Sequence, residues 1–270
     1  MKNKIYDCVT FYDENLQINL RLNILNDYVE KFVICESRFD HKGNKKDLNF
    51  KINEFNEFKD KIIYLVLEKQ FPNISDPWTT QAYQREFLFK GLDFLNPNDY
   101  VMFSDPDEIP RPELLVDINL KEKFGIFMQK MFCYKLNIYN QYESPWEGTR
   151  IAKKKNLNSI NYLRQKIKAK SLKYSFLRID KEKNIKIFSD GGWHFNYLLN
   201  AEMISKKLKT FAHTEFNNVK YTDIEKINYN INNFEDLFQR GHKYQKIEID
   251  SNYPDYIVKN INLFSDWIAK

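Results

Sequence analysis

The residues best suited to chemistry lie in the run SDPDEIP at positions 104–110, where Asp105 and Asp107 stand one residue apart. The run follows an apolar stretch predicted to be a strand, and parallel α/β folds bind ligands at the carboxyl ends of their strands. Alternate residues leaving a strand point the same way, so both carboxylates are expected to hold one cation, Mg²⁺ or Mn²⁺. Such a cation neutralises a diphosphate leaving group. Asp and Pro are also ordinary turn residues, so the triplet alone also fits a plain turn.

A second chemical signal is the run Gly191-Gly192-Trp193-His194, which follows the apolar stretch KIFSD. Paired glycines allow close backbone approach to a ligand, a Trp can cover a sugar face, and a His can ligate a metal. The same run also fits a tight turn with a packed Trp and a hydrogen-bonded His. A third signal is Arg85, which could grip phosphate oxygens in a bidentate fork or be a solvated helix arginine.

The elements that must position these residues alternate between strands and helices in the first hundred positions. Strands are predicted at 5–12, 32–37, 61–67 and 100–105, and helices at 16–31 and 77–95. Asp76 is expected to cap the second helix, with Pro77 in its first turn. This order predicts a parallel α/β sheet whose ligand site lies at the carboxyl ends of the strands.

The second half of the sequence is less regular. It predicts one long strand or two at 124–140, short strands at 149–154 and 186–190, and helices at 201–212 and 254–269. We expect a mixed sheet with a helical cap and no division into separate domains.

Composition narrows the class of protein. With 270 residues, 43% hydrophobic and 29% charged, the chain is predicted to be globular. A net charge of +5 is too modest to indicate a nucleic-acid binder. The three cysteines lie in separate apolar runs, which favours buried thiols in a reducing compartment over disulfides or zinc. Without a signal sequence or a long apolar span, a cytoplasmic location is expected, with peripheral contact at the inner membrane face as a variant.

Lysines are concentrated between residues 150 and 186, including Lys153–Lys155, Lys166, Lys168, Lys170 and Lys173. Such a run could hold the protein near an anionic membrane surface or a phosphorylated lipid-linked acceptor. It also fits a solvated face, which is the more common meaning of a charge run.

Taken in order, six blocks of this sequence resemble glycosyltransferase family 17: DCVTF (7–11), LRLNIL (20–25), FVICES (32–37), AYQR (82–85), SDPDEIP and GGWHF (191–195). The likeness covers about residues 5–215 and is weaker at 253–264. As a set, these blocks are far more specific than any one of them.

The resemblance implies a GT-A fold, with a Rossmann-like nucleotide-binding half and a mostly parallel central sheet merged with an acceptor-binding half. It implies a single domain over residues 1–270, divided into a nucleotide-sugar-binding half at 1–110 and an acceptor-binding half with C-terminal helices at 111–270. It also implies a UDP-sugar donor, with UDP-GlcNAc expected, a divalent cation (Mn²⁺ or Mg²⁺) and inversion at the anomeric carbon.

Site residues follow from the matched blocks. The implied metal ligands are Asp105, Asp107 and His194. The residues expected to line the donor pocket are Phe11, Glu36, Arg85, Asp105 and Trp193, and both Trp193 and Trp146 are candidates to stack on a sugar.

Inversion requires a carboxylate base on the acceptor side. Glu215 best fits the family pattern, and Asp190 and Glu147 are the competing candidates. The chain is expected to lack the amino-terminal anchor and stem of the animal members, which favours a bacterial or viral cell-surface glycan as acceptor. A lipid-linked glycan is the other acceptor expected.

Two other functions fit parts of the sequence. A sugar-phosphate nucleotidyltransferase also uses aspartate-bound metal, but that class usually has a Gly-rich loop after its first strand, and TFYDENLQ (10–17) contains no glycine. A non-catalytic sugar-binding protein with a relict GT-A fold is disfavoured because both aspartates and the histidine are present together.

Overall fold

Four parallel strands form the part of the sheet that carries the SDPDEIP run. In a computed structural model, which describes residues 3–210 and 216–270, these strands are β1 (Ile5–Phe11), β2 (Lys31–Ser37), β3 (Ile62–Leu67) and β4 (Tyr100–Ser104). They lie side by side in the order β4-β1-β2-β3. All five residues of β4 are buried, as expected for a strand covered on both faces. The four predicted strands are therefore confirmed.

The two helices of this half are shorter than predicted. Helix α1 (Asn15–Leu25) stops before 31 because the chain turns back to the sheet, where Glu30 N donates to Ile5 O at 2.8 Å. Helix α2 (Pro77–Phe87) is followed by a 3₁₀ turn at Leu88–Gly91. The predicted cap is present, since the Asp76 carboxylate accepts from Trp78 N and Thr79 N. A 3₁₀ segment at Ile52–Lys61, which precedes β3, was not predicted.

The second half extends the same sheet with mostly antiparallel pairs. Its strands are β5 (Glu108–Pro110), β6 (Phe124–Cys133), β7 (Ile138–Tyr139), β8 (Trp146–Lys153), β9 (Ile185–Phe188), β10 (Gly192–Asn196) and β11 (Gln245–Lys246). β8 lies between β4 and β6 and is antiparallel to both. β10 lies between β5 and β6, antiparallel to the first and parallel to the second. The described residues thus form one eleven-stranded mixed sheet, and the α/β class is confirmed.

The remaining helices cover the second half. They are α3 (Ile160–Lys166), α4 (Ala201–Thr210), α5 (Val219–Thr222), α6 (Ile224–Asn233) and α7 (Asp255–Lys259). The single helix predicted at 254–269 is instead α7 followed by a 3₁₀ segment at Ile261–Trp267. No helix in the described part of the chain is long and apolar enough to cross a membrane. Cys8, Cys35 and Cys133 are buried and free.

Candidate functional site

A cavity of about 700 Å³ opens where the parallel strands end. Thr10 and Phe11 of β1, Ser37 of β2 and Asp105 after β4 all line it. The second half contributes Trp146 and Glu147 of β8, among others. The cavity therefore lies at the carboxyl ends of the parallel strands, where the topology predicts a ligand site.

The SDPDEIP run forms a turn between β4 and β5 and does not continue the strand. Glu108 N donates to Asp105 O at 3.0 Å, and this bond closes the turn. The strand alternation expected for Asp105 and Asp107 therefore does not apply, and the two carboxylates meet different partners. Both still line the cavity.

A buried arginine, Arg21, forms hydrogen bonds with this turn. Arg21 of α1 donates through Nε to the Asp7 carboxylate at 2.5 Å and through Nη1 to Glu108 O at 2.7 Å. Its Nη2 also donates to Ser104 Oγ at 2.9 Å. Arg21 and Asp7 are both buried, and the hydrogen bonds of Arg21 link α1 to β1 and to the turn.

Two arginines pair with Asp105. Its Oδ2 accepts from Arg164 Nη2 at 2.5 Å, and its Oδ1 lies 3.7 Å from Arg85 Nη2. Arg164 also donates to Glu108 Oε1 at 2.6 Å. Burial alone would raise the pKa of Asp105, but the charges of Arg164 and Arg85 hold that pKa well below its ordinary value. Asp105 is therefore an ionised carboxylate in a cationic setting.

Asp107 and His194 lie next to each other in the lining of the cavity. Asp107 Oδ1 and His194 Nε2 are 3.4 Å apart, and both side chains are buried. Burial alone would raise the pKa of Asp107 and lower that of His194, but the attraction between the two groups reverses both shifts. Lys207 of α4 adds a positive charge, with its Nζ 4.0 Å from Asp107 Oδ2.

Strand β10 delivers His194 to this position. His194 is paired with Glu108 of β5 and with Met131 of β6, and Phe195 N donates to Asp107 O at 2.8 Å. Gly192 enters the strand with a φ of +127°, and a Cβ there would lie 2.3 Å from Ile109 O. Both glycines pack closely against neighbouring backbone after a turn at 189–190, as the turn interpretation predicts, and not against the cavity.

Trp193 does not line the cavity. Successive residues of a strand face opposite ways, so His194 and Trp193 cannot both point into it. The Trp193 side chain is buried on the other side, and the Arg111 guanidinium lies 4.6 Å from its ring centroid. Trp146, in contrast, lines the cavity, with its ring 5.2 Å from that of His194 and its Nε1 donating to Glu108 Oε1 at 2.7 Å.

Glu36 also lies off the cavity lining. Its carboxylate accepts from Asn49 N at 2.8 Å, Phe50 N at 3.0 Å and the Tyr64 hydroxyl at 2.8 Å, and it pairs with Lys46. Glu36 therefore anchors the loop that precedes the 3₁₀ segment. Of the other predicted donor-pocket residues, Phe11, Arg85 and Asp105 do line the cavity.

The three candidate bases are placed very differently. Asp190 has a side chain that is 59% exposed, pairs with Arg111 at 2.9 Å and lies outside the cavity lining. Glu147 lines the cavity, with its Oε2 3.1 Å from Arg150 Nη2. Glu215 lies outside the described residues.

Several cations line the cavity that were not predicted as site residues: Arg164 was not singled out, and Lys168 was expected only in a basic surface run. Arg164 belongs to α3, where Ser159 caps the first turn by accepting from Tyr162 N at 2.8 Å. That Ser is a helix-start signal, but nothing local links Arg164 to the SDPDEIP run. Lys168 lines the cavity just beyond α3, and burial, with the nearby Arg150 and Arg164, lowers the pKa of Lys168 to about 8.

Asp107 and His194 fit a divalent cation as a pair. Two ligands each about 2.1 Å from one cation lie about 3.0–3.4 Å apart, and the observed separation of 3.4 Å agrees with this. This fit uses His194 Nε2; the other ring nitrogen, Nδ1, is buried without a hydrogen-bond partner among the described residues and does not contribute to it. Those residues contain no group of three or more His, Cys, Asp or Glu side chains placed to hold a metal. The remaining ligands would have to be water and phosphate oxygens, as is common for Mg²⁺.

Comparison with known sequences gives one family over most of the chain. The sequence model of glycosyltransferase family 17 matches residues 1–247. The β-1,4-mannosyl-glycoprotein 4-β-N-acetylglucosaminyltransferase of Rattus norvegicus is 28% identical over 141 residues, which is 47% of this chain and 26% of that protein. Its counterpart in Homo sapiens is 31% identical over 127 residues, covering 42% of this chain and 24% of that protein. The matches thus span about a quarter of these relatives' length.

Comparison with solved structures gives weaker likenesses. A glycosyltransferase of Streptococcus pneumoniae has a TM-score of 0.35 at 13% identity, covering 69% of this chain and 46% of that chain. A Bacillus anthracis protein assigned as a glucose-1-phosphate thymidylyltransferase has a TM-score of 0.38 at 14% identity, with coverages of 69% and 87%. Both TM-scores and both sequence identities are low.

Proposed function

The chain belongs to glycosyltransferase family 17, and on that premise we propose that it transfers a sugar from a UDP-sugar to a hydroxyl group of a glycan, with inversion. The observation that carries the proposal is the cavity at the strand ends, where Asp107 and His194 face each other at 3.4 Å. The name of the mammalian relatives supports GlcNAc as the transferred sugar.

The donor is assigned to the part of the cavity built by the parallel strands. Phe11 and Ser37 would contact the nucleoside, and the diphosphate would lie near Asp107, His194 and Lys207. Asp107 and His194 would hold a Mn²⁺ or Mg²⁺ ion, which supplies charge neutralisation to the leaving diphosphate. That Asp105 also ligates the metal stays a prediction, because its carboxylate is paired with two arginines.

Glu147 is proposed as the base among the described residues. It lines the cavity on β8, and it carries fewer hydrogen bonds than Glu108, whose carboxylate is held by Arg164 and Trp146. Glu147 would take the proton of the acceptor hydroxyl as the new oxygen–carbon bond forms at the anomeric centre. The bond from that carbon to the diphosphate oxygen breaks on the opposite face, and its electron pair leaves with UDP.

The acceptor is proposed to be a glycan or a lipid-linked glycan. The printed name of the relatives describes a mannosyl-glycoprotein acceptor for those proteins. Several aromatic side chains line the cavity, and among them Trp146, which lies beside His194, is proposed to stack on an acceptor or donor sugar.

A UDP-release assay with a panel of UDP-sugars and a mannose-containing oligosaccharide tests this function. We expect release from UDP-GlcNAc in the presence of Mn²⁺, and a fall of about 10²–10⁴-fold for Glu147→Gln with UDP binding retained. The control Glu113→Gln changes an exposed carboxylate and should match the wild type. Absence of UDP release from every donor would overturn the proposal. Release of diphosphate from UTP and a sugar phosphate would identify a nucleotidyltransferase instead.

A further inference from the structure

The segment that follows the cavity lysines presents large apolar side chains to solvent. Within residues 172–179, here called the apolar loop, the side chains of Phe176, Leu177 and Ile179 are 83%, 72% and 96% exposed. Leu172 and Tyr174 of the same loop are also exposed. An isolated exposed Leu is ordinary, but five large apolar residues within eight positions are a feature of interaction surfaces.

The apolar loop has a defined backbone turn. Lys183 Nζ donates to Ser175 O at 2.6 Å and to Arg178 O at 3.1 Å, and Arg178 N donates to Ser175 O at 3.0 Å. These bonds close the loop on itself. The apolar side chains are therefore displayed by a turn with its own hydrogen bonds.

Basic residues are frequent in and beside the apolar loop in the sequence. Residues 166–183 include seven lysines and arginines but only two acidic residues. Their net charge of +5 equals that of the whole chain. Arg178 and Lys181 also lie over the Tyr174 ring, at 5.4 and 5.8 Å from its centroid. Asp180 pairs with both of these cations, so the net positive charge comes from the whole segment 166–183. An apolar tip within a segment of net positive charge matches a surface with an apolar interior and an anionic face.

We propose that the apolar loop inserts into the interfacial region of a bilayer that contains anionic lipid. Phe176, Leu177 and Ile179 would enter the headgroup–acyl boundary, and the flanking cations would contact lipid phosphates. A second copy of this chain is the less suitable occupant, because a symmetric contact would bring two cationic surfaces together.

Insertion of the apolar loop would also restrict the class of acceptor, an inference that rests on the proposed function. Lys168 and Lys170 line the cavity and immediately precede the apolar loop. Docking of the loop would therefore hold the cationic part of the cavity near the lipid headgroups. The substrate class that fits this arrangement is a lipid-linked glycan with a phosphate at its lipid end.

Co-sedimentation of the full chain with vesicles tests the docking without any assay of activity. The wild type is expected to bind vesicles of phosphatidylcholine with phosphatidylglycerol, and to bind pure phosphatidylcholine vesicles at least about tenfold more weakly. The triple variant Phe176→Ser, Leu177→Ser, Ile179→Ser should lose at least about tenfold in partitioning onto the anionic vesicles. A matched control replaces three exposed apolar residues elsewhere, Phe94→Ser, Val219→Ser and Leu263→Ser, and should bind as the wild type does.

Three results would overturn the docking proposal. The first is that the wild type does not bind anionic vesicles, and the second is that the wild type and the loop variant bind them equally. The third is that the apolar loop mediates a dimer of the chain and no binding to vesicles occurs. UDP release from a soluble acceptor is measured on the same variants. Loss of vesicle binding with UDP release intact supports docking, whereas absence of UDP release in an enzyme that still binds vesicles removes only the proposed function.

Discussion

At the scale of single residues, Arg164 is the cation shared by the two carboxylates Asp105 and Glu108 of the acidic turn. Arg164 donates to Asp105 at 2.5 Å and to Glu108 at 2.6 Å, and all three side chains lie in the wall of the cavity. The burial of Glu108 makes it dependent on this partner, because a buried carboxylate without a cation is costly.

Replacing Arg164 should therefore destabilise the protein strongly. We expect Arg164→Ala to lower the free energy of unfolding by about 3–5 kcal/mol, because it leaves two carboxylates without their shared cation. Urea denaturation measures this. The control Arg178→Ala removes a solvent-exposed pair with Asp180 and should leave the unfolding midpoint near that of the wild type. A midpoint for Arg164→Ala equal to that control would contradict the assigned role.

Some of the cavity residues could be predicted from the sequence. Asp105, Asp107 and His194 were named because their residue types and strand setting indicate chemistry, and the structure brings them to one cavity. Trp193 could not be separated from its neighbour His194 without the pairing partners of β10, which decide the side each residue faces. Glu36 lies in a matched block, but its contacts with residues 49, 50 and 64 depend on tertiary structure.

At the scale of elements, β10 is the strand on which the site depends. Its first residue, Gly192, has a φ of +127° and approaches Ile109 O and Arg111 N too closely for any Cβ. His194 lies two residues after Gly192 in the same strand, so a displacement of the backbone at Gly192 would also displace the His194 imidazole.

Gly192→Ala should accordingly weaken both stability and ligand binding. A Cβ would meet backbone atoms at 2.3–2.8 Å, and the φ is unfavourable for alanine. The expected cost is about 1–3 kcal/mol in unfolding free energy, with a loss of Mn²⁺-dependent UDP affinity. The matched control is Gly241→Ala, where φ is +76° but a Cβ would meet nothing within 4 Å. It should lose some stability and keep UDP affinity. If Gly192→Ala binds UDP as tightly as Gly241→Ala, β10 does not position the site as proposed.

The elements differ in how well their sequences predict them. β1 to β4 are apolar runs bounded by turn residues, and such runs specify buried strands locally. β5 and β10 consist of three and five residues and exist through pairing with each other and with β6, which a local pattern does not contain. The predicted 254–269 helix is interrupted at Asn260, whose φ of −119° and ψ of 28° are not helical, and the chain continues as a 3₁₀ segment.

At the scale of the whole molecule, the cavity belongs to both halves of one sheet. β8 pairs with β4 of the parallel part and carries Trp146 and Glu147 into the cavity. The sequence predicted the parallel half, the place of its ligand site and the strands at 124–140, 149–154 and 186–190, which correspond to β6 to β9. It did not predict β5, β10 or α3 with its Arg164. The division of the chain into halves at residue 110 stays a prediction.

The central claim is that Asp107 and His194 bind a donor diphosphate through a divalent cation, and calorimetric titration of UDP with and without Mn²⁺ tests it most directly. We expect Mn²⁺ to tighten UDP binding by about tenfold or more in the wild type. Asp107→Asn and His194→Ala should lose that gain, and the control Asp93→Asn, at an exposed position, should keep it. UDP affinity that is the same without metal, or a full Mn²⁺ effect in Asp107→Asn, would contradict the account.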